Sequence, residues 1–201
     1  MPAVKLTKSE LKRQKDALKR YHRYLPTLIL KKQQLQVVIR QLEGRLADEA
    51  RKRAGLIDAT ASWMDLFAEP FPFQDWLKVK SVETESANVA GVEIPVLKSM
   101  DFTTKGHDLF MTPPWVDEAL FLFTRLSRLD VEIGLLQRQV SLLEDELRVT
   151  SQRVNLFEKV KIPQAIESIR KIHIYLGDQQ TAAVVRGKIA KKNLLRRVDA
   201  S

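Results

Sequence analysis

Leu122, Leu126, Leu129, Ile133, Leu136, Val140, Leu143, Leu147, Thr150, Val154 and Phe157 follow one another in alternate steps of four and three without a slip. Such spacing lays an apolar stripe along one side of a helix, in the heptad form that a coiled coil buries against a second helix. A matching stripe runs through Tyr21, Leu25, Leu28, Lys32, Leu35, Ile39, Leu42 and Leu46, with Leu11 and Leu18 in phase before it and Lys32 as its polar member. Thr7 or Ser9 would cap the start, Glu10 standing three residues after Thr7 as in a capping box. Pro70 and Pro72 set the end near Glu69, since proline cannot continue a helix.

Between the two stripes the period changes. Val79, Val82, Val89, Val92, Ile94 and Val96 are β-branched and separated by polar residues at near-alternate positions, which predicts a short hairpin turning near residues 88–91. Residues 98–113 show no period and contain Gly106 and Pro113, so they read as a loop that leads to a second helix starting just after Pro114. Past Pro163, Ile162, Ile166, Ile169, Ile172 and Leu176 continue an apolar stripe that Gly177 would stop, and a further helical stretch is expected from Thr181 to Val198.

The pattern predicts an all-α dominated fold, a long antiparallel two-helix coiled coil with a short β-hairpin between the helices. It forms one elongated domain over residues 1–201, with a first long helix at 5–69, a hairpin and loop region at 70–114, and a second long helix at 115–198, bent or interrupted near 163 and 177. Parallel pairing between two chains is the alternative, but both stripes lie in one chain with the hairpin between them. Folding back about the hairpin centre sets Pro26 opposite roughly residue 157 and Pro163 opposite roughly residue 20, which predicts a shared bend or unwinding.

Composition supports long helices: aromatic residues are 7% of the 201, glycines number seven, and charged residues reach 29%. The absence of cysteine excludes disulfides, zinc ribbons and thiol chemistry. The basic start lacks the apolar core of a secretory signal, and no run approaches a membrane span, so membrane association is expected only through a partner. The net charge of +9 is unevenly spread: residues 1–39 carry +8, residues 156–201 carry +6 and the centre carries −5. Both basic ends are expected at one pole.

Candidate chemistry is sparse. Gly187-Lys188 is followed by Ile189 and lacks the earlier glycine of a phosphate loop, so neither nucleotide binding nor another cofactor is expected. His22, His107 and His173 have no second histidine at helical ligand spacing, and no metal site is expected. Glu144, Asp145 and Glu146 lie between Leu143 and Leu147 and read as a solvated face. Nothing resembles a nucleophile elbow, so no catalytic residue is assigned. Trp63, Trp76, Trp115, Phe67, Phe71 and Phe73 form either a small core beside the hairpin or an exposed docking patch. The basic ends would suit a phosphate backbone, yet no nucleic-acid motif accompanies them, and a solvated or protein-facing role is preferred.

Two ordered motifs carry a family resemblance. Asn88-Val-Ala-Gly91-Val-Glu-Ile-Pro95-Val, between the two helices, resembles the hairpin signature of the D subunit of V-type and A-type ATPases. Arg153-Val-Asn155-Leu-Phe-Glu158, then Ile162-Pro163 and the isoleucines that follow, is similar to that family's C-terminal run, and Leu6-Thr-Lys-Ser-Glu-Leu11 adds a weaker likeness. Tyr21-His-Arg-Tyr-Leu-Pro26 replaces the family's glycine-histidine and double-leucine pattern.

The resemblance implies a non-catalytic rotor shaft in the central stalk, turning inside a ring of catalytic and non-catalytic subunits that bind the nucleotides. It also implies, as partners, the small F subunit of the stalk and a funnel-shaped subunit leading to the membrane ring, on the cytoplasmic side of the membrane in a peripheral complex. Asn88, Gly91, Pro95, Arg153, Asn155, Glu158 and Pro163 would then bind partners, together with Lys188, Lys191, Lys192, Arg196 and Arg197 of the basic tail. Rival readings are a prefoldin-like chaperone or tether, and a basic nucleic-acid tether.

Overall fold

The computed structural model describes residues 5–61, 76–104 and 112–198. Helix α1 spans Lys8–Thr60, strand β1 Leu77–Val89, strand β2 Val92–Thr104, and helix α2 Val116–Leu156. A π turn, Phe157–Lys161, joins α2 directly to helix α3, Ile162–Val198. Two long helical stretches thus pack together with an antiparallel hairpin between them. The chain divides into two compact units, residues 31–149 and residues 1–30 with 150–201.

In the unit of residues 31–149 the two seams meet. Leu35 and Leu143 are completely buried, and Ile39, Leu42 and Leu136 almost so. Val38, Leu46, Val140 and Leu147 close around them. The chain directions are opposed: Lys31 pairs with Glu146, and farther along α1 Arg53 pairs with the earlier Asp130. Burial of this kind is the main source of stability for amphipathic helices, whose hydrogen bonds alone are marginal.

The hairpin lies on this pair. Ile94 of β2 is buried in the same cluster, with Ala87, Val89, Ala90 and Val92 against it. A two-residue turn, Ala90 and Gly91, connects the strands, with φ of 51° and 80°. Both angles lie in the left-handed region that a type I′ hairpin requires. Asn88 Oδ1 accepts the Gly91 N–H at 3.0 Å and closes the turn.

The strands run longer than the expected hairpin. Residues 98–104, read from their lack of period as loop, are strand: Leu77 pairs with Thr104, Val79 with Phe102 and Val89 with Val92. The register shifts twice, between Val79 and Ser81 and between Glu83 and Thr84. The first shift leaves Lys80 extra on β1 and the second leaves Lys98 extra on β2. Each bulge inverts the inside-outside alternation, which is why a period of two is invisible there.

In the other unit, residues 8–30 of α1 accompany residues 150–198. Thr7 precedes the first helical residue, and its Oγ1 accepts the Glu10 N–H at 3.3 Å, so Thr7 rather than Ser9 caps α1. Leu11, Leu18, Tyr21, Leu25 and Leu28 are half-buried at heptad spacing. Thr150, Val154, Ala165 and Ile172 are buried. Tyr21 and Phe157 stack at 5.3 Å between ring centroids. Phe157 therefore faces Tyr21, five residues before Pro26, and the pairing is offset from simple folding about the hairpin centre.

Three further expectations change. Helix α1 continues through Pro26 without a π turn, so unwinding occurs in the second helical stretch alone. No interruption exists at Gly177: α3 stays helical through Gly177 and Gly187, a helical glycine costing only about 1 kcal/mol. Ile166 is 51% exposed, and Ala165 occupies the buried position instead. The expected end of the first helix near Glu69 lies outside the described residues, as do Trp63, Phe67, Phe71, Phe73 and His107.

Candidate partner-binding surfaces

The residues expected to bind partners separate into two groups. Asn88, Gly91 and Pro95 have tasks inside the chain. Asn88 closes the turn, Gly91 supplies a positive φ, and the Pro95 carbonyl accepts the side-chain amide of the buried Gln139 on α2. A Cβ on Gly91 would stand 3.8 Å from Lys31 Nζ, which places the hairpin tip beside the Lys31–Glu146 ion pair, itself 2.7 Å long. These contacts dock the hairpin through Gln139, Ile94 and the turn. Gln139, Lys31 and Glu146 carried no motif, and their pairing across 44 and 115 residues of chain had no local signal.

Arg153, Asn155, Glu158, Pro163, Lys188, Lys191 and Lys192 are exposed, while Arg196 and Arg197 are helical. From Gly177 to Leu195 every residue but Ala182 is exposed, and Val184, Val185, Ile189, Leu194 and Leu195 are each about half exposed or more. At 100° per residue Val184, Val185, Ile189 and Leu195 share an arc of about 140°, with Lys188 and Lys192 interleaved among them and Leu194 on another side.

A groove of about 430 Å³ lies between the hairpin and the helices of residues 31–149. Leu42, Ile94 and Leu136 form its apolar floor, and Arg45, Lys98, Arg128 and Glu132 supply charge at its walls. None of the twelve expected partner residues lines it. Nearby, Phe121 is 57% exposed with the Arg125 guanidinium 5.5 Å above its ring.

The electrostatics describe solvated helix surfaces. A hydrogen bond from Lys171 holds the Glu167 carboxyl below its ordinary pKa, and Glu49 raises that of Lys52 in the same way. Both are exposed pairs within one helix, at spacings of four and three. Among the described residues no three His, Asp or Glu side chains come together to hold a metal ion. No described helix is long and apolar enough to cross a membrane.

Relatives give these surfaces a context. The family model for the ATP synthase D subunit matches residues 10–192. The V-type ATP synthase D subunit of Borreliella burgdorferi is 50% identical over 197 residues, covering 98% of each chain. That of Chlamydia abortus is 35% identical over 98% of this chain and 97% of its own, and that of Chlamydia pneumoniae 31% over 95% and 93%. With the paired helices, the intervening hairpin and both sequence motifs, these matches show that the chain belongs to the family of V-type ATP synthase D subunits.

Proposed function

We propose that this chain is the rotor shaft in the central stalk of a V-type or A-type ATPase. It transmits torque between a hexamer of catalytic and non-catalytic subunits and a membrane ring that moves protons or sodium ions. ATP synthesis or hydrolysis is thereby coupled to ion flow, while nucleotide chemistry stays in the hexamer and the chain itself is non-catalytic.

The observation that carries this reading is the contrast between the seams and the tail. Each unit buries a heptad stripe that stiffens a helix pair, whereas residues 177–195 leave apolar and basic side chains exposed and interleaved. Lys188 and Lys192 stand among the apolar residues, so the tail presents no purely apolar stripe of the kind a single docked helix buries. A tail enclosed by a ring meets protein in every direction and needs a surface without a preferred face. Residues 181–201 are accordingly the inserted tip, with Lys188, Lys191 and Lys192 facing the ring and Arg196 and Arg197 adding to its positive charge.

The hairpin surface and residues 40–68 and 117–150 serve the small F subunit of the stalk and the funnel-shaped subunit. The groove edged by Arg45, Lys98, Arg128 and Glu132 offers apolar floor and charged wall to such a partner. Contact with the membrane is indirect.

Isolation of the chain from a native membrane fraction tests the assignment. A nucleotide-binding hexamer and stalk subunits should accompany it, and recovery without them would overturn the proposal. Removal of residues 181–201 should uncouple ATP hydrolysis from ion transport in the assembled complex. Unchanged coupling would remove the tip assignment.

A further inference from the structure

The stripe of the second helical stretch contains one residue too many. Up to Phe157 its members step by four and three, and beyond Ile162 the covered positions Ala165, Ile169, Ile172 and Leu176 do so again. Between Phe157 and Ile162 the step is five. An unbroken α-helix would bring Lys161 into the seam, yet Lys161 is exposed. The backbone absorbs the surplus residue: the Ile162 N–H donates to the Phe157 carbonyl, five residues back, in a π turn. Pro163 follows at once and has no N–H to return the next bond to the α pattern.

The π turn sets the phase of the helix that follows it. Rewinding the turn as α-helix would rotate everything after it by about 100°, the angle of one residue. Lys161 would replace Ile162 in the seam, and Ala165, Ile169 and Ile172 would turn away from their covered side. Packing thus restores the π turn after any excursion, while a π turn, a rare winding found as single turns inside α-helices, makes the excursion easier there than in the flanking helix.

We propose that Phe157–Lys161 is a torsional joint, the segment in which the second helix changes its winding when the chain is twisted. Its use under load rests on the rotor reading above. Its existence rests on the five-residue step and the π turn.

Deletion of Lys161 tests it. The seam then runs in unbroken steps of four and three from Leu122 to Leu176, with every covered side chain retained. In the full chain the deletion should raise the melting temperature and slow amide exchange across residues 157–166 by about tenfold. In the assembled complex it should narrow the thermal angular fluctuation of a probe fixed to the rotor. Pro163→Ala keeps the residue count and should retain the fast exchange.

Deletion of Glu144 provides the contrast, because it shifts the heptad with no π turn to compensate and should abolish cooperative unfolding. Loss of folding on Lys161 deletion as severe as on Glu144 deletion would overturn the joint. So would exchange at 157–166 as slow as in the flanking helix, loss of fast exchange in Pro163→Ala, or an unchanged angular fluctuation. Failure of the chain to assemble with a nucleotide-binding ring would instead overturn the rotor reading, and with it the use of the joint under load, even if exchange responded as stated.

Discussion

Gln139 donates its side-chain amide to the Pro95 carbonyl from a position only 6% exposed, and this bond, beside the packing of Ile94, ties β2 to α2. Gln139→Leu keeps the volume but leaves that carbonyl without its partner, so it should cost about 1–3 kcal/mol in chemical denaturation. Leu35 and Leu143 have no exposed surface, and Leu35→Ala or Leu143→Ala should each cost roughly 2–5 kcal/mol by the same measurement. Ala90 lies at φ 51°, where asparagine is tolerated better than alanine, and Ala90→Asn should raise stability by up to about 1 kcal/mol. At the surface, Lys171→Met should return the Glu167 carboxyl toward its ordinary pKa in an NMR titration, because Lys171 is the main cause of the depression. The sign follows: a depressed carboxyl stabilises at neutral pH and loses its contribution as pH falls through its folded value.

Among the elements, the hairpin shows best how local and distant forces divide the work. Its turn is readable from Asn88 and Gly91, since one supplies an acceptor for the turn and the other a positive φ. Its length is not, because Lys80 and Lys98 each add a residue to one strand and scramble the alternation beyond them. The helices behave in the same manner. Every named seam position from Leu122 to Phe157 is covered, as 3.5-residue spacing requires, yet Ile166 is exposed and the smaller Ala165 is buried. Hydrophobicity favoured Ile166, but the π turn set the phase of α3 and phase decided burial.

For the whole molecule, charge and exposure matter more than any one contact. Residues 156–201 carry +6, and past Leu176 nearly all described side chains are exposed, so the tail contributes little to folding. A chain ending at residue 180 should therefore unfold within about 0.5 kcal/mol of the full chain in urea. Its loss should be felt only where a partner surrounds it. Asn88, Gly91 and Pro95 are structural residues of the hairpin as well as motif residues, whereas Arg153, Asn155, Glu158, Pro163, Lys188, Lys191 and Lys192, proposed to face partners, are exposed in the single chain.

Periodicity was enough to name the two helices, their seams, the hairpin and its turn, and the ordered motifs were enough to point to the family, because each depends on residues close together in sequence. The partner that each element meets was settled only by folding. Phe157 stacks on Tyr21 rather than lying opposite Pro26, Gln139 finds Pro95, and Lys31 and Glu146 meet beside the hairpin tip. A heptad specifies which side of a helix is buried, and many registers satisfy it equally. Shape complementarity and hydrogen-bond satisfaction between distant segments select one of them, and neither is expressed in local spacing.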